Sequence, residues 1–171
     1  MRGAPNIILI GPMGSGKTAV GRSLARHLSK PFYDSDTEIV RRTGVDIPYI
    51  FEKEGEAGFR QREREAIEGL VALKGIVLAT GGGAVMLEEN RRLLAERGCV
   101  VYLETSIEQQ VERVQHGRHR PLLSNVDDPA VRLKELMGVR DPLYRSVADI
   151  TVRTDGRRVK AVAEDIVRMI R

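Results

Sequence analysis

Short apolar runs alternate with segments of helical period from one end of the chain to the other. Asn6 to Ile10, Phe32 to Asp34, Ile76 to Ala79, Val100 to Leu103 and Ile150 to Val152 read as strands. All but the clipped second run are nearly continuous in apolar character. That pattern fits parallel strands covered on both faces, since a strand with one wet face alternates apolar and polar residues instead. Between the runs, apolar positions recur at three- and four-residue intervals, as in Ala66, Ile67, Leu70 and Val71 or in Val159, Val162, Ala163, Ile166, Val167 and Ile170. Each such segment has one stripe to bury against a sheet. Gly14 to Ser29 is the first predicted helix, and Ser106 with Gln109 forms a capping-box pattern ahead of Ile107, Val111 and Val114. The rhythm is β-α-β-α, which predicts an α/β fold. One long irregular stretch, Gln115 to Pro129, holds two prolines, two histidines, Gly117, Asn125 and the pair Asp127 and Asp128. Loops of that length in compact domains are disordered or act as lids.

A length of 171 residues suits one domain spanning 1–171, and 42% hydrophobic with 30% charged residues gives both a core and a solvated surface. Wholesale disorder is excluded. No uncharged apolar run approaches the roughly 18 residues that span a bilayer, and the start of the chain lacks the layout of a secretory signal. The expected location is the cytoplasm. Cys99, the single cysteine, has no partner for an internal disulfide and reads as a core residue. The excess of 28 Lys and Arg over 24 Asp and Glu is only +4, is spread along several segments, and comes with three Phe, four Tyr and no Trp. That balance suits phosphate-bearing small molecules better than a nucleic-acid surface. The expected partners are therefore small ligands, with neither nucleic acid nor membrane, and the expected state is a monomer.

Gly11-Pro12-Met13-Gly14-Ser15-Gly16-Lys17-Thr18 fits G-x-x-x-x-G-K-[ST] directly after a strand and before a helix. Glycines allow successive N–H groups to turn inward and form an anion nest at a helix N-terminus, where the macrodipole also favours phosphate. Gly14, Ser15, Gly16, Lys17, Thr18 and Ala19 are the expected nucleotide contacts. Lys17 reaches the β and γ phosphates, and the Thr18 hydroxyl can coordinate Mg2+. ATP or GTP binding follows. No N-K-x-D stretch for guanine is present, and no apolar strand ends in Asp-Glu, because the third runs into Gly81-Gly82-Gly83. The second strand therefore supplies the acidic partner. Read as strand positions, Asp34 and Asp36 point the same way, one holding the metal through water and the other accepting a substrate hydroxyl. A cap on the following helix is the alternative role, weighed for Asp36 in particular.

The phosphate loop, Asp34-Ser35-Asp36, Gly58-Phe59-Arg60, Gly81-Gly82-Gly83, Arg120-Pro121-Leu122-Leu123 and Arg140-Asp141-Pro142-Leu143-Tyr144, in this order over essentially the whole chain, resemble shikimate kinases. The resemblance implies a three-layer α/β/α fold with a five-stranded parallel sheet, like that of nucleoside monophosphate kinases. It implies phosphorylation of the 3-hydroxyl of shikimate by ATP and Mg2+, on the route to chorismate. Arg60 and Arg140 match the family's carboxylate-binding arginines, a task suited to the planar guanidinium fork. Asp36 matches its hydroxyl-binding aspartate, and Gly81, Gly82 and Gly83 its substrate-facing glycine run; Phe51 and Phe59 would wall the ring. The substrate-binding segment covers about 33–62 and a lid about 115–126, from which Arg120 swings over the phosphates. Lys17, Asp36 and Arg120 are the implied catalytic residues, with Thr18 and Asp34 at the metal. Arg113 and the stretch Arg153 to Arg157, Arg157 in particular, are the implied adenine contacts. His116 and His119 lack the spacing of a metal site. A different small-molecule kinase on this scaffold, or a nucleotide-sensing module, would keep the phosphate loop without needing Asp36, Arg60 and Arg140 together.

Overall fold

A computed structural model describes residues 5–115 and 128–170. Its strands β1 (Asn6–Ile10), β2 (Phe32–Asp34), β3 (Val77–Ala79), β4 (Gly98–Glu104) and β5 (Ile150–Arg153) form one sheet in the order β2-β3-β1-β4-β5, parallel at every pairing. The helices of the described residues are α1 (Lys17–Leu28), α2 (Ser35–Thr43), α3 (Ile47–Val71), α4 (Glu88–Arg97), α5 (Ile107–Gln115), α6 (Pro129–Val147) and α7 (Val159–Ile170).

The two-residue period of β1 decides what each layer receives. Ile8 and Ile10 enter one core with Leu78, Val100 and Tyr102 of the neighbouring strands, Leu70 of α3, Leu94 of α4 and Tyr144 of α6. Ile7 and Leu9 enter the other with Val77, Val101, Leu103, Leu24 of α1 and Ile166 of α7. Complete burial is worth about 1.5–3 kcal/mol for each large aliphatic side chain, so both faces of the sheet hold their helices. The expected three-layer α/β/α sandwich results. A third, smaller core of Ile39, Ile50, Phe59 and Ala66 joins α2 to α3 beyond the end of β2. Within α3, Gly55 adopts φ 73°, ψ −178° and breaks the helix into two pieces.

Element ends differ from expectation for identifiable reasons. The first helix starts at Lys17 rather than Gly14, because Gly14 to Gly16 belong to the loop. β3 loses Ile76, whose N–H donates to the Asn6 side chain at 3.1 Å. β4 runs longer than predicted because it pairs on both sides, with β1 and β5. The Ser106 hydroxyl accepts from the Gln109 N–H at 3.2 Å, as the capping pattern predicts. The reciprocal bond is replaced: the Ser106 N–H donates to Asp155, and the Gln109 side chain accepts from the Gly156 N–H. Cys99 is partly buried against the second core, and burial, with Asp149 nearby, pushes its thiol up. Among the described residues, no helix is long and apolar enough to cross a membrane.

Candidate active site

The chain leaves β1 to build one half of the sheet through β2 and β3, then crosses to build β4 and β5. Ligands of such sheets bind outside the strand carboxyl ends where the order reverses. The phosphate loop lies there, along one side of a cavity of about 300 Å³. Gly16 caps α1 in a left-handed conformation, φ 87°, and no side chain caps the helix's first N–H groups. Those donors face the pocket, in the arrangement that binds anions. Met13, Gly14, Gly16, Lys17, Thr18 and Ala19 line the cavity, while Ser15 is buried beneath the loop. The Lys17 ammonium donates to the carbonyls of Gly11 at 2.6 Å and Pro12 at 2.8 Å, which holds it at the loop's mouth. Arg113 of α5 closes the opposite wall, and a Cβ on Gly16 would lie 2.8 Å from its guanidinium.

Thr18 donates its hydroxyl proton to Asp34 Oδ2 at 3.0 Å. Asp34 Oδ1 accepts from the backbone N–H groups of Asp36 at 2.9 Å and Thr37 at 3.2 Å. Here the strand reading needs correction. β2 ends at Asp34 and α2 begins at Ser35, so Asp36 stands in a first helical turn and strand alternation does not relate the two carboxylates. The capping role weighed for Asp36 falls to Asp34. Both still line the same cavity, because the helix starts where the strand stops. Thr18 and Asp34 form a pair of hard oxygen donors, the chemistry that suits Mg2+. No group of three or more His, Cys, Asp or Glu able to hold a metal occurs among the described residues, so phosphate and water oxygens would complete such a shell.

Past the glycine run lies a buried charged cradle. Arg60 of α3 is 8% exposed, Arg140 of α6 3% and Glu63 0%. Arg60 Nη1 meets Glu63 Oε1 at 2.9 Å, and its guanidinium carbon lies 5.1 Å above the Phe59 ring. Burial pushes the Glu63 carboxyl up to about 7, aided by Asp36 and opposed by Arg60 and Arg140. Burial likewise lowers Arg140. Arg60 Nε, Arg140 Nε and Glu63 Oε2 are buried with no hydrogen-bond partner among the described residues. Buried polar atoms rarely lack partners, so these three mark where a ligand's polar groups belong.

The glycine run separates cradle from phosphate loop by a single backbone. A Cβ on Gly82 would lie 3.3 Å from the Met13 nitrogen and 3.5 Å from Arg140 Nη1; one on Gly83 would collide with the Arg60 guanidinium. A Cβ on Gly81 would sit 2.9 Å from Glu63 Oε2 and 3.0 Å from Asp36 Oδ1. A side chain at Gly81 or Gly83 would have to displace the charged groups of the cradle, and one at Gly82 would press on the phosphate loop.

The structure thus brings together the loop, Asp34, Asp36, Arg60, Gly81 to Gly83, Arg113 and Arg140. Phe59 is buried in the small core and presents its face to Arg60, while the half-buried Phe51 stacks on it with ring centroids 4.8 Å apart. The pair packs against the Arg60 side of the cradle. Arg157 is not brought to the pocket: it pairs with Asp165 of α7 and donates to the carbonyls of Arg153 and Ala161. Arg120, His116, His119 and the lid expected over about 115–126 lie outside the described residues, apart from the backbone of Gln115. Sequence reasoning missed Glu63, Ser35 and Tyr144. For Glu63 a signal existed, because it stands on the stripe Phe59, Ala66, Ile67 and Leu70, where an acid has no reason to be unless it is paired.

A family model described as shikimate kinase matches residues 13–171. The chain belongs to the shikimate kinase family. The shikimate kinase of Thioalkalivibrio sulfidiphilus is 57% identical over 166 residues, which is 97% of this chain and 87% of that one. Among solved structures, the shikimate kinase from Acinetobacter baumannii in complex with shikimate superposes with a TM-score of 0.95 at 50% identity, covering 98% of this chain and 93% of that one. Shikimate kinase from Aquifex aeolicus superposes with a TM-score of 0.83 at 38% identity, covering 96% and 95%. The five-stranded parallel sheet and its surrounding helices are those of shikimate kinase structures.

Proposed function

We propose that the chain transfers the γ-phosphoryl group of ATP to the 3-hydroxyl of shikimate, forming shikimate 3-phosphate and ADP on the route to chorismate. The observation that carries this reading is the Gly82 backbone, packed between the phosphate loop and Arg140. It leaves an anion-binding loop and a buried cationic cradle close enough to share one reaction. Arg60 and Arg140 take the acceptor's carboxylate, and Asp36 accepts the hydroxyl that is to be phosphorylated. Asp36 is also the candidate base, although in a largely dissociative transfer the proton leaves late.

Gly14 to Ala19 cradle the phosphates, with Lys17 set against the β and γ groups. Thr18 and Asp34 would hold Mg2+, which when bound neutralises charge between those phosphates. Arg113 is assigned to the adenine side. Arg120 and the lid segment are assigned by family resemblance to charge stabilisation and exclusion of water. Residues 33–62 form the acceptor-binding segment of a single domain. We place the reaction in the cytoplasm and in a monomer.

The test is ADP release with ATP and Mg2+, with and without shikimate, and with gluconate and nucleoside monophosphates as alternative acceptors. Release that requires shikimate, with phosphorus NMR locating the new ester on the 3-hydroxyl, is the expected result. Release with another acceptor alone would overturn the substrate, and ATP binding without release to any acceptor would overturn the kinase.

A further inference from the structure

Three adjacent glycines are the most mobile backbone a chain can offer, yet here they lie between two charged half-sites that must keep their spacing. The run is pinned at separate points. The Gly81 N–H donates to the Ser35 hydroxyl at 3.1 Å, and the Gly81 carbonyl accepts from the Ala84 N–H at 3.1 Å. The Gly82 carbonyl accepts from the Tyr144 hydroxyl at 2.5 Å. A trans peptide is planar, so that last bond also sets the direction of the Gly83 N–H.

Tyr144 stands one helical turn after Arg140 on α6, fully buried, and the positive charge of the Arg140 guanidinium opposes the burial that pushes the phenol up. Its ring is anchored in turn, with its centroid 4.9 Å from that of Tyr102 on the interior strand β4. Pro142 stands between Arg140 and Tyr144 and removes a helical N–H, so α6's own ladder is weak at the turn that carries both side chains. Tertiary contacts have to hold that turn in place.

We propose that Tyr144 is a positioning residue for the acceptor: its hydroxyl fixes the Gly82 carbonyl, and with it the glycine backbone against which the Arg140 guanidinium lies. This rests on the reading of Arg140 as a carboxylate-binding residue. The consequence is specific to one substrate, because the phosphate loop's own contacts do not pass through Tyr144.

Tyr144→Phe keeps the stacked ring and removes only the hydroxyl. The expected result is a KM for shikimate raised about tenfold, the scale of one lost hydrogen bond that leaves a buried acceptor unmet. KM for ATP should stay within about twofold, since the nucleotide side is untouched. Tyr102→Phe is the control, as it removes the hydroxyl of the stacked partner, which donates to Asp141 at 2.7 Å and not to the glycine run. Its KM for shikimate should match wild type. Equal rises in both variants, or an unchanged KM for shikimate in Tyr144→Phe, would overturn the positioning role. A loss of folded protein or of kcat with both KM values unchanged would overturn it too, by marking the hydroxyl as structural only.

Wild-type ADP release in the same assay tests the underlying reading separately. Its failure to depend on shikimate would overturn both, whereas dependence in wild type with no effect of Tyr144→Phe overturns the positioning role alone. A second measurement needs no variant. In wild-type protein labelled at the tyrosine ζ carbons, shikimate should shift the Tyr144 resonance, because its carboxylate offsets the Arg140 charge that the phenol senses, and leave that of the exposed Tyr49 in place. A Tyr144 signal that ignores saturating shikimate would refute the coupling.

Discussion

Glu63→Gln is expected to make the protein more stable at pH 8 while changing it little near pH 4.5, although it neutralises the acid that pairs with a buried arginine. The Glu63 carboxyl is raised from 4.5 to about 7 by burial, with Asp36 adding to the rise and Arg60 and Arg140 opposing it. Between those two pH values the folded protein keeps a proton that the unfolded chain has released. The folded state then binds more protons than the unfolded one, so stability falls as pH rises. The whole interval amounts to about 3 kcal/mol, at ~1.4 kcal/mol per pH unit. Gln copies the protonated acid in shape and can still accept from Arg60 Nη1 through its amide oxygen, the bond that spans 2.9 Å in the native pair. Urea unfolding of both proteins at pH 5, 6, 7 and 8 isolates the effect, because titrating groups remote from Glu63 cancel in the difference. The gap in favour of Gln should open steadily to pH 7 and then level. A gap that stays flat, or one that favours Glu63 increasingly toward pH 8, would refute the reasoning and show that Arg60 holds Glu63 ionised like an ordinary ion pair.

Asp36→Asn should lower turnover by about 100-fold or more, the scale of a lost acid–base group, with ATP affinity by equilibrium titration unchanged. Thr18→Ala should raise the Mg2+ concentration needed for half-maximal activity, because it removes the hydroxyl now paired with Asp34 at 3.0 Å; a magnesium titration at saturating ATP checks this. Leu94→Ala, at a position of α4 that is fully buried against β4 and α3, should cost about 2–5 kcal/mol in urea unfolding while leaving KM for both substrates unchanged.

Much of the fold is legible in the chain because its signals are local. β1 shows as Asn6 to Ile10 since every one of its residues is buried, and α7 shows as a stripe ending at Ile170 because one face packs on the second core. β2 was harder: Phe32, Tyr33 and Asp34 are only half-buried, at the sheet's edge, and the helix that begins immediately at Ser35 has no apolar run to announce it. That abrupt change from strand to helix is what misled the reading of Asp34 and Asp36 as alternating strand positions. The break in α3 at Gly55 was invisible for a related reason, since apolar residues continue on both sides of it through Phe51 and Phe59.

The site divides along the same line. Residues that would touch ligands carry their chemistry in short motifs: Gly14 to Thr18 in the loop, Asp36, Arg60, the three glycines and Arg140. The residues that hold them act over distance. Ser35 meets Gly81 across 46 positions and Tyr144 meets Gly82 across 62, so only the sheet order that sets α2 and α6 on either side of the run brings those partners together. Glu63 falls between the two classes. Its partner Arg60 is three residues away, within reach of sequence reasoning, but in the run Arg60 to Glu65 an acid next to arginines looks like any solvated helix face. The apolar stripe beneath it carries the contrary message, because a charged group on a buried stripe must be neutralised by a proton or by a partner. Here the cradle has both available. Arg60 and Arg140 face Glu63 and Asp36, and Arg60 also meets Glu56 at 3.4 Å, so acids already outnumber the two arginines. The raised carboxyl of Glu63 follows from its burial, which outweighs the pull of both arginines and is aided by Asp36.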